Sequence, residues 1–254
     1  MVNFISFGTE NCDELLKKFY NNLLKYSPEP FILHYYSINY DSLVSGDNLF
    51  IHTIQIDKVY KRPVYYKPLV LLQSLIDNNS DNFIYLDLDI VLTKHFSSTL
   101  LFNKIKDSTT SMSPNHYWEY PFSFENNLTL TKGDKICELK SIKKCGVYVQ
   151  NCLIVYSKKH FQFLLDWYQL VNDVSFYELS SCDEELYNVN LWVHNQSKNL
   201  GYLCVTSGTT KNNDIFSLFK EFQNNNFDKE NFSNKNNFYK NYENKNVMIF
   251  HGIK

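Results

Sequence analysis

Phe83-Ile84-Tyr85-Leu86-Asp87-Leu88-Asp89-Ile90-Val91-Leu92 is the stretch whose reading decides the fold. Its apolar, β-branched and aromatic residues read as a buried strand, with two carboxylates near the C-terminal end. Side chains alternate along a strand, so Asp87 and Asp89 are expected on one face and Leu88 on the other. Two acids so placed repel each other unless a cation lies between them. A hard divalent ion such as Mn²⁺ or Mg²⁺ suits an oxygen site and commonly grips a substrate phosphate as well. In open α/β sheets, ligands bind beyond the carboxyl ends of the strands. The pattern points to metal-assisted chemistry on a phosphorylated substrate. The alternative is that the acids cap a helix or occupy a solvated turn. Against it, the second acid runs directly into Ile90-Val91-Leu92.

Outward from this stretch, the chain alternates elements. Val2 to Phe7 reads as a strand ending at Gly8-Thr9. Asn11 then reads as a helix N-cap, with Glu14 reaching back from the third helical position. Leu15, Leu16, Phe19, Leu23 and Leu24 follow at helical spacing, and Ser27-Pro28-Glu29-Pro30 ends the helix. Strands are expected at Phe31–Tyr36 and Leu49–Ile56, and a helix over Lys67–Ile76 leads into the acid-bearing strand. This rhythm predicts an α/β fold with a mainly parallel central sheet flanked by helices. Later elements are a short strand at Met112–Pro114, a strand from Val147 to Tyr156 and an amphipathic helix from Phe161 to Leu170. A helix at Asp183–Val193 and strands at Tyr202–Thr206 and Val247–Phe250 complete the series. Residues 223–246 are rich in Asn and Lys and read as a surface segment. With no internal repeat, residues 1–254 are expected to form one domain.

Composition excludes some functions. The net charge of −2 carries no basic footprint for nucleic acid. The six cysteines are scattered, with no C-x-x-C pair for zinc, and read as small apolar fillers of a reducing compartment. No apolar run approaches the ~18–20 residues that span a bilayer, and the N-terminus lacks a signal-peptide pattern. A cytoplasmic location is expected. Alanine is absent and Arg62 is the sole arginine, which suits an AT-rich coding sequence of viral or microbial origin.

Four segments in order resemble the family 8 glycosyltransferases of the GT-A fold. Tyr65-Tyr66-Lys67-Pro68 with Tyr85-Leu86-Asp87-Leu88-Asp89 is similar to the family's K-P helix and Y-L-D-x-D block. Gln150-Asn151-Cys152, the apolar run after it and Trp167 resemble the N-A-G block, with Cys152 in place of the small residue. Cys182-Asp183-Glu184-Glu185-Leu186-Tyr187-Asn188 resembles the D-Q-x-x-x-N helix start, with Glu184 for Gln. His251-Gly252-Ile253-Lys254 is similar to a shortened H-x-x-G-x-x-K ending.

The resemblance implies a metal-dependent hexosyltransferase using a nucleotide sugar, UDP-linked and with retention of configuration. The acceptor is a hydroxyl of a glycan, a protein or a small molecule. It implies Asp87, Asp89 and His251 as metal ligands, with Asp87 also on the ribose. Lys67 and Lys254 would face the diphosphate, and Phe7, Gly8, Thr9 and Asn11 would hold base and ribose. Asp183, Glu184 and Asn151 would surround the reacting sugar. Bond cleavage leaves negative charge on the diphosphate, which a cation, a lysine and backbone N–H groups stabilise.

Rivals read the same residues differently. Asp87-Leu88-Asp89-Ile90-Val91-Leu92 also fits the D-x-D-x-V-L signature of haloacid-dehalogenase-type phosphatases, whose first Asp is a nucleophile. That motif normally follows the first strand, and the G-D-x-x-x-acid candidate, Gly133-Asp134 with Glu138, lies in polar sequence. A sugar nucleotidyltransferase would need a glycine-rich basic loop where Ser6-Phe7-Gly8-Thr9 stands. A catalytically inactive GT-A-like domain that binds a sugar nucleotide is the non-enzymatic reading.

Overall fold

Val2–Gly8 (β1) is buried along its whole length and forms the middle of a five-stranded sheet. Phe4 belongs to one apolar cluster with Leu16, Phe19 and Leu23, which lie on one side of α1 (Asp13–Tyr26). Ile5 and Phe7 point the other way, into a cluster with Val70 and Leu71 of α2 (Lys67–Asp77). A strand covered on both faces lacks strict polar alternation, and in β1 the apolar residues are interrupted only by the buried Asn3 and Ser6. The computed structural model describes residues 1–9, 12–60, 62–93, 95–114, 137–138, 141–143, 145, 148–173, 183–201, 204–206 and 248–251.

β2 (Phe31–Ile38), β3 (Leu49–Ile54) and β4 (Asn82–Leu86) run parallel to β1, while Leu153–Ser157 (β6) is antiparallel to β4. The strand order is β3-β2-β1-β4-β6. β3 stops two residues earlier than its sequence suggests. Asn39, with φ 59°, brackets Ile56 by accepting from its N–H at 2.7 Å and donating to its carbonyl at 3.0 Å. A side-chain amide there takes over the role of a strand neighbour.

The acid-bearing stretch is not one strand. β4 ends at Leu86, Asp87–Asp89 forms a turn closed by Ile90 N donating to Asp87 O at 3.1 Å, and Ile90–Leu92 (β5) enters a second sheet. That sheet has the order β5-β8-β7, with β7 at Cys204–Thr206 and β8 at Ile249–His251. The one-face reading of Asp87 and Asp89 is therefore replaced by a turn between sheets. Similarly, Asn151 and Cys152 form a turn ahead of β6, not the strand interior expected from Val147 onward. Met112 makes only an isolated bridge to Val155. Three longer helices follow: α3 (Ser98–Ile105), α4 (Phe161–Asn172) and α5 (Asp183–Val193).

Helix α1 starts differently from its expected capping box. Cys12 occupies the cap position without a side-chain bond, and Asn11 lies outside the described residues. Glu14 turns to Lys17 at 2.7 Å, and Asp13 instead accepts from Ser42 Oγ and Leu43 N, tying α1 to the β2–β3 loop.

Candidate active site

Parallel pairing sets Phe4 opposite Ile84 and Ile5 opposite Tyr85, so the carboxyl ends of β1 and β4 open on the same edge. Past that pairing, Ser6 Oγ donates to Leu86 O at 2.8 Å, holding the two strand ends together. Phe7 stacks on Tyr85, with ring centroids 6.1 Å apart. Gly8 meets its neighbours closely. A Cβ there would lie 2.1 Å from Tyr35 Oη and 2.7 Å from Cys12 Cβ, and Tyr35 is fully buried. The need for glycine thus comes from packing beneath the strand end. Thr9 is half-buried beside it.

At the centre of this edge stands Lys67, the first residue of α2, with 1 % of its side chain exposed. Its ammonium lies 3.1 Å from Asp87 Oδ1 and 3.1 Å from Asp183 Oδ2. It also donates to the carbonyl and the side-chain oxygen of Asn151, both at 3.2 Å. Asn151 Nδ2 in turn donates to Asp183 Oδ2 at 2.6 Å. Burial alone would pull the ammonium's pKa down, but the carboxylates of Asp183 and Asp87 outweigh it and hold it above the usual lysine value. One ammonium against two carboxylates leaves a net negative charge.

The expectation that Lys67 faces a diphosphate meets a different geometry. Its charge is turned inward and shared between two acids from distant parts of the chain. Pro68 at the start of α2 and the preceding 3₁₀ turn Pro63–Tyr66 fix where that side chain begins. Asp183 is the first residue of α5, where the helix dipole favours an acid. Its side chain is 5 % exposed. Glu184, next along α5, is half-buried, and its backbone carbonyl accepts from Asn188 Nδ2 at 2.9 Å.

Asp87 is held from three sides. Tyr85 Oη donates to its Oδ1 at 2.5 Å, Lys67 lies opposite, and its N–H donates to Cys152 O at 2.9 Å. Burial and the adjacent carboxylate push the Tyr85 hydroxyl well above the ordinary tyrosine range, so it remains a donor. The Tyr85 ring also lies 5.2 Å from the Lys67 ammonium. Asp89 is half-buried, two residues along the turn.

The second sheet sets the backbone of His251 opposite Ile90, one residue past Asp89. The carboxylates of Asp87 and Asp89, on this turn, are of the type that suits a hard divalent cation. Among the described residues no group of three His, Cys, Asp or Glu side chains forms a ready metal centre. The His251 side chain, Lys254 and Asn11 lie outside the described residues.

Sequence reasoning assigned no role to Tyr85 or Asn188. Tyr85 stands two residues before Asp87 in the decisive stretch, and that spacing is the signal that could have found it. Asn188 is fully buried. Its amide accepts from Val149 N at 2.8 Å and donates to Val149 O at 2.9 Å, anchoring the chain two residues before Asn151.

No family model matches this chain, and no curated protein matches it in sequence. Its structure is similar to the crystal structure of galactosyltransferase LgtC in complex with donor and acceptor sugar analogues. The TM-score is 0.59 at 10 % identity, over 98 % of this chain and 86 % of that one. The likeness establishes the GT-A fold expected from the sequence. It also leaves the haloacid-dehalogenase reading without its scaffold.

Proposed function

We propose that the protein is a metal-dependent glycosyltransferase that moves a hexose from a nucleotide sugar, UDP-linked, to the hydroxyl of a glycan, protein or small molecule. The observation that carries this reading is the gathering of Lys67, Asp87, Asn151 and Asp183 at the carboxyl edge of a GT-A sheet. Similarity to a galactosyltransferase crystallised with donor and acceptor sugar analogues supports the same class of substrate.

In this reading the end of β1, Phe7-Gly8-Thr9, and Asn11 after it receive the base and ribose. Asp87 and Asp89 with His251 hold Mn²⁺ or Mg²⁺, and Lys254 meets the diphosphate. The cation, when bound, offsets the charge that grows on the leaving diphosphate. Lys67 acts as a positioning residue, because its ammonium holds Asp87 and Asp183 at fixed separation before any ligand arrives. Asn151 and Asp183 present one carboxylate and one amide to the sugar. Asp183 Oδ2 already accepts from two donors, which suits electrostatic support of an oxocarbenium-like centre better than proton abstraction. Glu184, in the first turn of α5, is favoured as an anion by the helix dipole and adds to that support. The acceptor proton then passes to the leaving diphosphate oxygen on the same face, and the product keeps the donor's configuration.

Calorimetric titration with UDP, with and without Mn²⁺, followed by a panel of nucleotide sugars, tests the reading. Binding that requires the cation and consumption of one UDP-hexose are expected. Asp89→Asn is expected to lower turnover by at least ~10²-fold, in the range seen when one electrostatic contact to a developing charge is lost. Cleavage of a simple phosphate monoester with no nucleotide sugar consumed would overturn the assignment. A β-linked product from an α-configured donor would overturn retention alone and make Asp183 or Glu184 the base.

A further inference from the structure

A hydrogen-bonded line runs across the sheet on the face covered by α2. It joins Asn3 of β1, His34 of β2 and His52 of β3, and Asp77, the last residue of α2, lies 4.0 Å from its end. Its polarity is fixed from one end. Ser80 Oγ donates its single proton to Asn82 O at 3.1 Å, so it can only accept from Asn3 Nδ2, 2.9 Å away. That orients Asn3 Oδ1 toward His34 Nε2 at 3.3 Å, and His34 must carry its proton on Nε2. A neutral His34 then has only a lone pair on Nδ1, which faces His52 Nε2 at 3.1 Å. His52 must therefore donate from Nε2, and its own Nδ1 is left with a lone pair.

That lone pair faces the carboxylate of Asp77, 4.0 Å away. Asp77 accepts from Tyr36 Oη at 3.2 Å and Gln73 Nε2 at 2.7 Å, so its negative charge is held in place. The Tyr36 ring stacks on His52 with centroids 4.6 Å apart, and Phe50 stacks on His34 at 5.8 Å. The groups facing His52 are thus His34 and Tyr36 from β2 and Asp77 from α2. The other ring nitrogens along the line are already matched, so His52 Nδ1 is where one more proton fits.

We propose that this array is a one-proton acid sensor: His52 takes up the proton, His34 stays neutral, and the charged ring ties β3 to the C-terminal end of α2. Charging His34 instead would shift His52 to its Nδ1–H tautomer and place the charge on the more deeply buried ring, farther from Asp77. Burial lowers the pKa of His34 to about 4, and burial also lowers that of His52 while Asp77 pulls it back up. His52 therefore charges first as pH falls, below the ordinary histidine range.

Side-chain ¹H–¹⁵N NMR of the full chain from pH 7.5 to 4.5 tests this. His34 is expected as the Nε2–H tautomer throughout. His52 is expected to begin as Nε2–H and to become doubly protonated. Asp77→Asn is expected to lower the His52 midpoint by about 0.5 pH unit, as loss of a nearby opposite charge in a partly solvated setting requires. His34 found as Nδ1–H, or titrating before His52, would overturn the proposal. A His52 midpoint unmoved by Asp77→Asn would do so as well. The wild-type spectrum decides the tautomers without any variant needing to fold.

Discussion

Helix α2 carries a charged group at each end, and the two ends solve burial in opposite ways. At its start, Lys67 is sealed in with its charge intact, because Asp87 and Asp183 flank it and Asn151 fills the remaining donors. At its end, Asp77 keeps about a quarter of its side chain in solvent and faces histidines whose pKa values burial lowers. A charge is tolerated deep inside when opposite charge and hydrogen bonds surround it, whereas the half-buried end relies on a line of neutral donors and acceptors. The first arrangement is insensitive to pH near neutrality, and the second responds once pH falls below the ordinary histidine range.

The sharpest way to break this contrast is Lys67→Met. It keeps the stem and removes the ammonium, leaving the buried Asp183 and the half-buried Asp87 without their shared cation. A loss of about 3–5 kcal/mol in urea unfolding is expected, the range for breaking a buried ion pair from one side. A loss below about 1 kcal/mol would mean that the acids do not depend on this lysine.

Tyr85→Phe probes the same end more gently. It removes one donor to Asp87 and leaves the ring against Lys67, so about 2 kcal/mol is expected, as for a hydrogen bond to a charged group. The same unfolding experiment reads it, and a wild-type midpoint would show that Tyr85 contributes packing only.

The far end is sharpened by pH. His34 has its folded pKa lowered to about 4, so between that value and the ordinary 6.5 the unfolded chain binds the extra proton. Stability therefore falls as pH drops through that window and levels off below it, by at most about 3 kcal/mol from this group. His160, whose pKa burial also lowers to about 4, and His52 add to the same slope. Urea midpoints across pH 7.5 to 4 read the slope, and His34→Gln is expected to reduce it without removing it. The smallest effect belongs to Gln73→Ala, which removes an exposed contact to Asp77 and should cost no more than about 0.5 kcal/mol. A larger loss would make Gln73, not the histidine line, the main tie at that end.

Much of this was legible in the residues, and the failures have physical causes. The order of strands and helices followed from apolar periodicity, and α5 begins at Asp183 as expected. Phe83 to Leu92 misled because a buried strand and a strand–turn–strand through two sheets share the same apolar pattern. Periodicity carries no mark of a change of hydrogen-bonding partner. Lys67 was expected on the diphosphate because the resemblance to the family's K-P helix implies it there, and a lysine so fully enclosed is rare. What encloses it, Asp183, comes 116 positions later in the chain, and no local pattern encodes that meeting. The α1 entry differs for a local reason: the helix starts one residue later, with Cys12 at the cap, and Glu14 pairs with Lys17 one turn on instead of reaching back.

The sealing of Lys67 has a practical use. Among the described residues it is the one lysine that is buried, while the others are exposed. Amine-reactive reagents acylate an unprotonated, accessible amino group, and this one is neither. Mass-spectrometric footprinting of the native chain should therefore label the surface lysines and spare this position. Its modification would then report, at a single site, the fraction of molecules in which the carboxyl edge has come apart.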